Sequence, residues 1–359
     1  EAGFEAAFWD NRLYLDFTYY KTDSRNQILK LATTAASGYT SQVRNAGHIR
    51  NRGYEIQLGA VPIQTSKGFR WNLDLNYGAN SSKVVKLDDE GLITSYQLYS
   101  SGIQILASVG EAYGTLFGTS YVRDANGNVV VDANGLPKIS TTNKTLGKFT
   151  PDWTGGISNT FSYRSLSLSF LIDASVGGSI FSNTNKTGKY TGVLANTLSG
   201  RDAEHGGLWY YTDAMGNNVR LPESPSYSVS SDGLYYAQVN GQSTRVYQDG
   251  IMVEGVTESG SKNEEVVSAE KYYHRIYSIA EANVYDASYV KLREVALSYR
   301  LPRLWTQKLH LQEASVTLTG RNLWTIYKSV PNIDPESALT TGNAQGVEAY
   351  SLPTTRSFG

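Results

Sequence analysis

The residues best equipped for chemistry are few and scattered. The four histidines, His48, His205, His274 and His310, show no HExxH spacing and no partner at metal-ligand spacing. Cysteine is absent, which removes thiol catalysis, disulfide frameworks and Cys-based zinc sites together. No Walker A run is present to cradle phosphates. The Ser-rich stretch 165–175 offers hydroxyls without a nearby histidine to activate them. The run "DANGNVVVDANG" (124–135) presents Asp124, Asn126, Asp132 and Asn134 as oxygen ligands, the donor type calcium takes. It lacks the full loop and the closing bidentate glutamate. Two Asn-Gly turns around "VVV" read more simply as hairpin turns, and calcium is the only cofactor for which the sequence offers even a partial ligand set. No enzyme emerges from this inventory.

A second set could bind without reacting. The segment 181–284 holds "GGLWYYTDAMGN" and "SDGLYYAQVNGQ", with Trp209, Tyr210, Tyr211, Tyr235 and Tyr236 close to Asp213, Asn217, Asp232 and Gln238. Flat aromatic faces with polar groups at the rim suit sugar rings, which stack through their C–H face. The alternative is that these aromatics pack the segment against itself.

The elements that must carry these residues are strands. In "RLYLDFTYY" (12–20), Leu13, Leu15, Phe17 and Tyr19 alternate with Arg12, Asp16 and Thr18. In "FRWNLDLNY" (69–77), Phe69, Trp71, Leu73, Leu75 and Tyr77 alternate with Arg70, Asn72, Asp74 and Asn76. Leu166, Leu168, Phe170, Ile172 and Ala174 oppose Ser167, Ser169 and Asp173, and Tyr54, Ile56 and Leu58 oppose Glu55 and Gln57. A period of two puts successive side chains on opposite faces of a β-strand. The polar set of Glu55, Gln57, Arg70, Asp74 and Asp173 is thereby expected on one face.

Strands are expected near 3–9, 12–27, 43–61, 69–84, 149–163, 166–180, 285–301, 309–322 and 353–359. The joints alternate between short ones (10–11, 62–68, 164–165, 302–308) and long ones (28–42, 85–148, 181–284, 323–352). Connections beyond about 15 residues are uncommon inside compact soluble domains. Here they recur at one end only, the pattern of outer-membrane barrels with short periplasmic turns and long extracellular loops. In that frame 85–148 and 181–284 are extracellular loops, and the greasy strand faces meet lipid. The polar pattern of "QVRNAGHIRNR" (42–52) marks where a strand leaves the bilayer. Trp9, Trp71 and Trp305 lie beside short joints, and Trp153 and Trp324 near the long ones, as two interfacial belts require. Leu309 and Leu311 have the opposite parity to Val316 and Leu318; a bulge near 312–314 or a misplaced turn reconciles them. A soluble β-sandwich shares the alternation but not the one-ended connections.

Composition agrees. The chain of 359 residues has a net charge of −1, which gives no electrostatic case for nucleic acid. Tyrosine reaches 26 residues, and its ring suits both strands and membrane–water interfaces. No run of about 18 apolar residues is available for a membrane-spanning helix. The sequence opens on Glu1 rather than Met, so either a leader is removed or a longer polypeptide contains it.

Several runs resemble a known family. "YVKLREVALSYRLP" (289–302), "TGRNLWTIYKSVPNIDPE" (319–336) and "PTTRSFG" (353–359) are similar to the closing strands of SusC/RagA-type TonB-dependent transporters of Bacteroidetes. "GEAYGTLFG" (110–118), "DANGNVVVDANGLPK" (124–138) and "LGKFTPDWTGGISNTF" (146–161) resemble the same family in the same order. The resemblance implies a plugged barrel of about 22 strands, of which these nine are a C-terminal part, with the plug and earlier strands outside this sequence. It implies TonB–ExbB–ExbD as the energy source and a SusD-like surface lipoprotein as lid. It further implies import of a nutrient across the outer membrane, read here as an oligosaccharide, with a peptide as the alternative. The five loop aromatics are then candidate solute or lid contacts, and the five polar-face residues are expected to line the lumen. In family members a short helix often precedes the strand within 270–292. A passive porin and a secreted glycan-binding adhesin remain the competing readings.

Overall fold

The computed structural model describes residues 1–32, 38, 39, 41–308 and 310–359. Nine strands form one antiparallel sheet in chain order. They are β1 (Ala2–Phe8), β2 (Leu13–Ala32), β3 (Ser41–Gln64), β4 (Phe69–Lys86), β5 (Trp153–Tyr163), β6 (Leu166–Val176), β7 (Tyr289–Arg300), β8 (Ser315–Lys328) and β9 (Ser357–Phe358). These are the nine strands expected from the alternation, with shifted ends. Strands β2 and β3, at 20 and 24 residues, run well past the ~10 that cross a bilayer.

The register carries the period-two pattern across the whole sheet. One row runs Phe8–Leu13–Ala60–Leu73–Asn159–Phe170–Val295–Gly320–Phe358. Its one polar intruder, Asn159, is buried and accepts a hydrogen bond from Trp71 Nε1 at 3.0 Å. A neighbouring row runs Ala6–Leu15–Leu58–Leu75–Ile157–Ile172–Leu292. The other face carries Asp16–Gln57–Asn76–Gly156–Asp173–Lys291.

Among the described residues, nothing covers the apolar face. Among the described residues, the five buried hydrophobic clusters lie in the long connections, and of the wall strands only the tip of β4, through Val84, joins one. Phe4, Phe8, Leu166, Leu168, Leu297, Val316 and Leu318 stay open to their surroundings. A sandwich would bury such side chains against a second sheet. The fold is the wall of a transmembrane β-barrel.

Several boundaries depart from the sequence reading for local reasons. Strand β6 stops at Val176 because Gly177 and Gly178 both take left-handed backbone, at φ 76° and 78°. The chain from 302 to 308 is no simple turn, since helix α3 (Arg303–Lys308) occupies it and β8 begins at Ser315. The misplaced turn, not a bulge at 312–314, thus resolves the parity conflict at Leu311; Leu309 lies outside the described residues. At the last edge Ser357 and Phe358 stand opposite Arg321 and Gly320, and Gly359 exchanges backbone hydrogen bonds with Thr319 at 2.8 and 2.9 Å.

The long connections are themselves folded. Ser95–Ser100, Gln104–Ser108, Tyr113–Gly118 and Lys144–Lys148 make a four-stranded sheet, and six short strands between Leu208 and Ser268 make another. Helices α1 (Asn183–Thr191) and α2 (Ala269–Tyr277) pack beside them, α2 being the short helix expected before β7. The two connections interlock: Val131 donates to the Val256 carbonyl at 2.8 Å, and Arg275 pairs with Asp132 at 3.0 Å.

Candidate functional site: the polar face and its strap

Glu55, Gln57, Arg70, Asp74 and Asp173 all lie on the polar face, as their register partners show. Asp74 stands opposite Ser158 and Gly59, Arg70 opposite Ser162, and Asp173 opposite Gly156 and Lys291. These residues spread across the sheet. Only Asp173 joins a convergent cluster.

That cluster forms where a bulge interrupts β7 between Leu292 and Glu294. An extra residue re-aims a side chain, and Arg293 reaches the polar face beside Asp173. Its guanidinium grips that carboxylate at two points, Nε to Oδ1 at 2.6 Å and Nη2 to Oδ2 at 2.9 Å. The same guanidinium holds Glu336, Nη1 to Oε2 at 2.8 Å. Lys291, only 2% exposed, donates to Asp334 at 2.6 Å and to Glu336 at 2.5 Å. Tyr289 donates to Glu336 at 2.9 Å, and the Thr354 hydroxyl to Asp334 at 2.6 Å. Burial alone would push the Asp334 carboxyl up, but the Lys291 ammonium and the Thr354 hydroxyl outweigh it and bring it to about 2. Glu336 is likewise held low, burial being overcome by Arg293 and Lys291.

Asp334 and Glu336 belong to the connection 329–356, a strap that lies on the polar face. Its far end is fixed by Glu348, fully buried and, among the described residues, in no ion pair. Ser182 Oγ and Thr184 Oγ1 donate to that carboxylate at 2.7 and 2.6 Å, at the N-terminus of α1. No local pattern singles out Lys291, Arg293, Asp334 or Glu336, although the runs 289–302 and 319–336 that contain them carry the family resemblance. The available signal was a Lys and an Arg at alternate positions of a strand that also needed a carboxylate-rich partner.

The loop aromatics divide. Trp209 and Tyr210 are buried, at 7% and 4% exposure, inside the six-stranded sheet. Trp209 packs on Tyr227 and Tyr235, with centroids 5.0 and 5.7 Å away, and Tyr210 stacks on Tyr247 at 5.1 Å. Their faces are occupied by protein. Tyr211, Tyr235 and Tyr236 are half-buried. A recess of about 630 Å³ opens elsewhere in the same connection, lined by Lys189, Tyr190, Arg201, Asp249, Tyr273 and His274. Tyr190 and His274 stack there at 4.1 Å. Lys189 donates to the Ala282 carbonyl at 2.7 Å, and burial lowers its amine to about 8.

The partial calcium motif forms separate turns. Asp124 Oδ1 accepts from the backbone of Asn126 and Asn128, at 2.9 and 2.8 Å, and Asp132 Oδ1 accepts from Asn134 and Leu136 at 3.0 and 3.1 Å. Both carboxylates thus cap their own turns. Among the described residues no three His, Asp or Glu groups gather as a metal site.

The site is thus a barrel wall whose polar face carries a buried ion-pair cluster and a strap. No family model matches the chain. It is 26% identical over 387 residues to TonB-dependent receptor P3 of Formosa agariphila, covering 100% of this chain and 33% of that protein. To TonB-dependent receptor P26 of the same organism it is 24% identical over 382 residues, covering 99% and 33%. Among solved structures, a RagAB peptide transporter aligns over 99% of this chain and 33% of its own, with a TM-score of 0.60 and 18% identity. The resemblance to TonB-dependent transporters therefore holds along the whole chain, which spans about a third of the length of these relatives.

Proposed function

We propose that this chain is a wall segment of a TonB-dependent outer-membrane importer, and that the remaining strands and plug belong to the same polypeptide. The observation carrying this is the nine-strand register, with a continuous uncovered apolar face backed by a polar one. The apolar face meets lipid. Glu55, Gln57, Arg70, Asp74 and Asp173 line the lumen, and the long connections face outside the cell under a SusD-like lipoprotein. TonB–ExbB–ExbD supplies the energy. The barrel wall stays rigid, and its strap keeps the lumen side of β7 in one geometry while solute passes.

The solute is an oligosaccharide in this reading. With Trp209 and Tyr210 committed to packing, the recess at Tyr190 and His274 is the better place for a sugar ring: an aromatic stack borders Asp249, Glu270 and Arg201. A peptide is the second reading, supported by the likeness to RagAB, a peptide transporter. Uptake of labelled oligosaccharides and peptides by cells with and without TonB tests both. Loss of uptake without TonB supports the importer, whereas TonB-independent uptake supports a passive porin. Tyr190→Ala weakening sugar uptake alone assigns the solute class.

A further inference from the structure

The outward face of β2, β3 and β4 changes character in single register steps. Along β3 it reads Leu58, Ile56, Tyr54, Arg52, Arg50, all on one side. Across the sheet, Tyr19, Tyr54 and Ala79 share a row; the next holds Lys21, Arg52 and Ser81; the next holds Asp23, Arg50 and Lys83. Apolar side chains thus give way to tyrosines and then to cations within about 13 Å along the strand. Tyrosines at that level mark the membrane interface, so the cations stand at headgroup height.

The charge there is unbalanced. Among the described residues, Lys21, Arg50, Arg52 and Lys83 share these rows with the single carboxylate of Asp23, and Lys148 and Asp152 border the recess beside them. Asp23 is taken by His48 and by Arg50 at 2.9 Å, and Asp152 by Lys148 at 2.7 Å. Lys21, Arg52 and Lys83 are exposed and have no ion-pair partner among the described residues. A recess of about 480 Å³ opens at the same height, lined by Tyr19, Arg52, Tyr54, Ser81, Lys148 and Asp152. Unpaired cations above an aromatic girdle, beside a recess open to the lipid side, call for an anion attached to a lipid.

We propose that this patch binds the phosphate groups of a phosphorylated glycolipid headgroup in the outer leaflet, with Lys21, Arg52 and Lys83 as the phosphate ligands. The ring faces of Tyr19 and Tyr54 take the adjoining sugar and acyl attachment. The recess seats one headgroup per patch and fixes a lipid at this side of the barrel. The proposal rests on the long connections facing outside the cell.

The test uses the full-length transporter in nanodiscs containing bis-phosphorylated lipid A or its dephosphorylated form. Native mass spectrometry counts the glycolipid that stays bound. Wild type should retain the phosphorylated form preferentially, and millimolar inorganic phosphate should not displace it. The triple variant K21Q/R52Q/K83Q should lose retention by roughly a hundredfold, whereas K21R/R52K/K83R should keep it. Heat-modifiable migration confirms that each variant is folded. Equal retention of both lipid forms, or by the Gln variant, overturns the proposal. A cysteine placed at Leu92 and probed on intact cells with an impermeant maleimide reads orientation separately. No labelling there overturns the sidedness itself, while labelling without lipid discrimination overturns the glycolipid site alone.

Discussion

Asp173 on β6 and Arg293 in the bulge of β7 meet through a two-pronged ion pair, at 2.6 and 2.9 Å. The residues are 120 positions apart, and the guanidinium that joins them also reaches Glu336 in the strap. One cation therefore couples two wall strands to a connection that lies on the polar face. Breaking it affects all three.

Arg293→Gln should leave two carboxylates facing each other without their shared cation. Removing one partner of a largely buried pair costs roughly 2–3 kcal/mol locally. The strap, not the barrel, should loosen, so limited proteolysis within 337–346 should speed up while heat-modifiable migration is unchanged.

Acid should release the same strap. The folded Asp334 carboxyl sits at about 2, below its ordinary 3.8, so its contribution is present above 3.8. That contribution is lost as pH falls from about 4 towards 2, and Glu336, also held low, acts in the same direction. Pepsin cleavage of 337–346 should rise across this window, and the Thr354→Ala variant should move the rise to higher pH.

Lys189 gives the opposite slope. Its folded amine lies at about 8 against an ordinary 10.5, so the unfolded state binds more protons between those values. The stability of the folded connection 181–284 should increase with pH from about 8 to 10.5 and be flat below 8. Lys189→Met should remove that slope in thermal melts.

Leu73 and Asp74 are neighbours in sequence and sit on opposite faces. Leu73→Arg should cost roughly 2–4 kcal/mol in folding into lipid vesicles, because a charge then meets the bilayer core. Asn72→Arg, on the polar face, should cost little. A spin label at position 73 should report lipid; water or tight protein packing there rejects the barrel reading.

Trp209→Ala should destabilise the six-stranded sheet by roughly 3–5 kcal/mol, since the ring fills a protein core. Hydrogen exchange should quicken between 208 and 252 and stay unchanged in the wall strands.

The sequence by itself determined which faces of the wall strands are apolar, because the two-residue period is a property of each strand alone. Leu13, Leu73 and Leu168 announce the same face without knowledge of their neighbours. The one-ended placement of long connections is equally local information, and it placed eight wall strands and the position of the ninth. Tertiary structure alone decided what those connections contain. Trp209 and Tyr210 look like a binding platform in sequence, and only strands pairing from 227 to 268 cover their faces. The cluster at Asp173, Arg293 and Glu336 was likewise illegible, since it depends on a bulge that turns Arg293 inward and on a strap that returns 43 residues later. Periodicity fixes orientation within a strand, but a charge partner is fixed by register and connection path, which are set by the whole sheet.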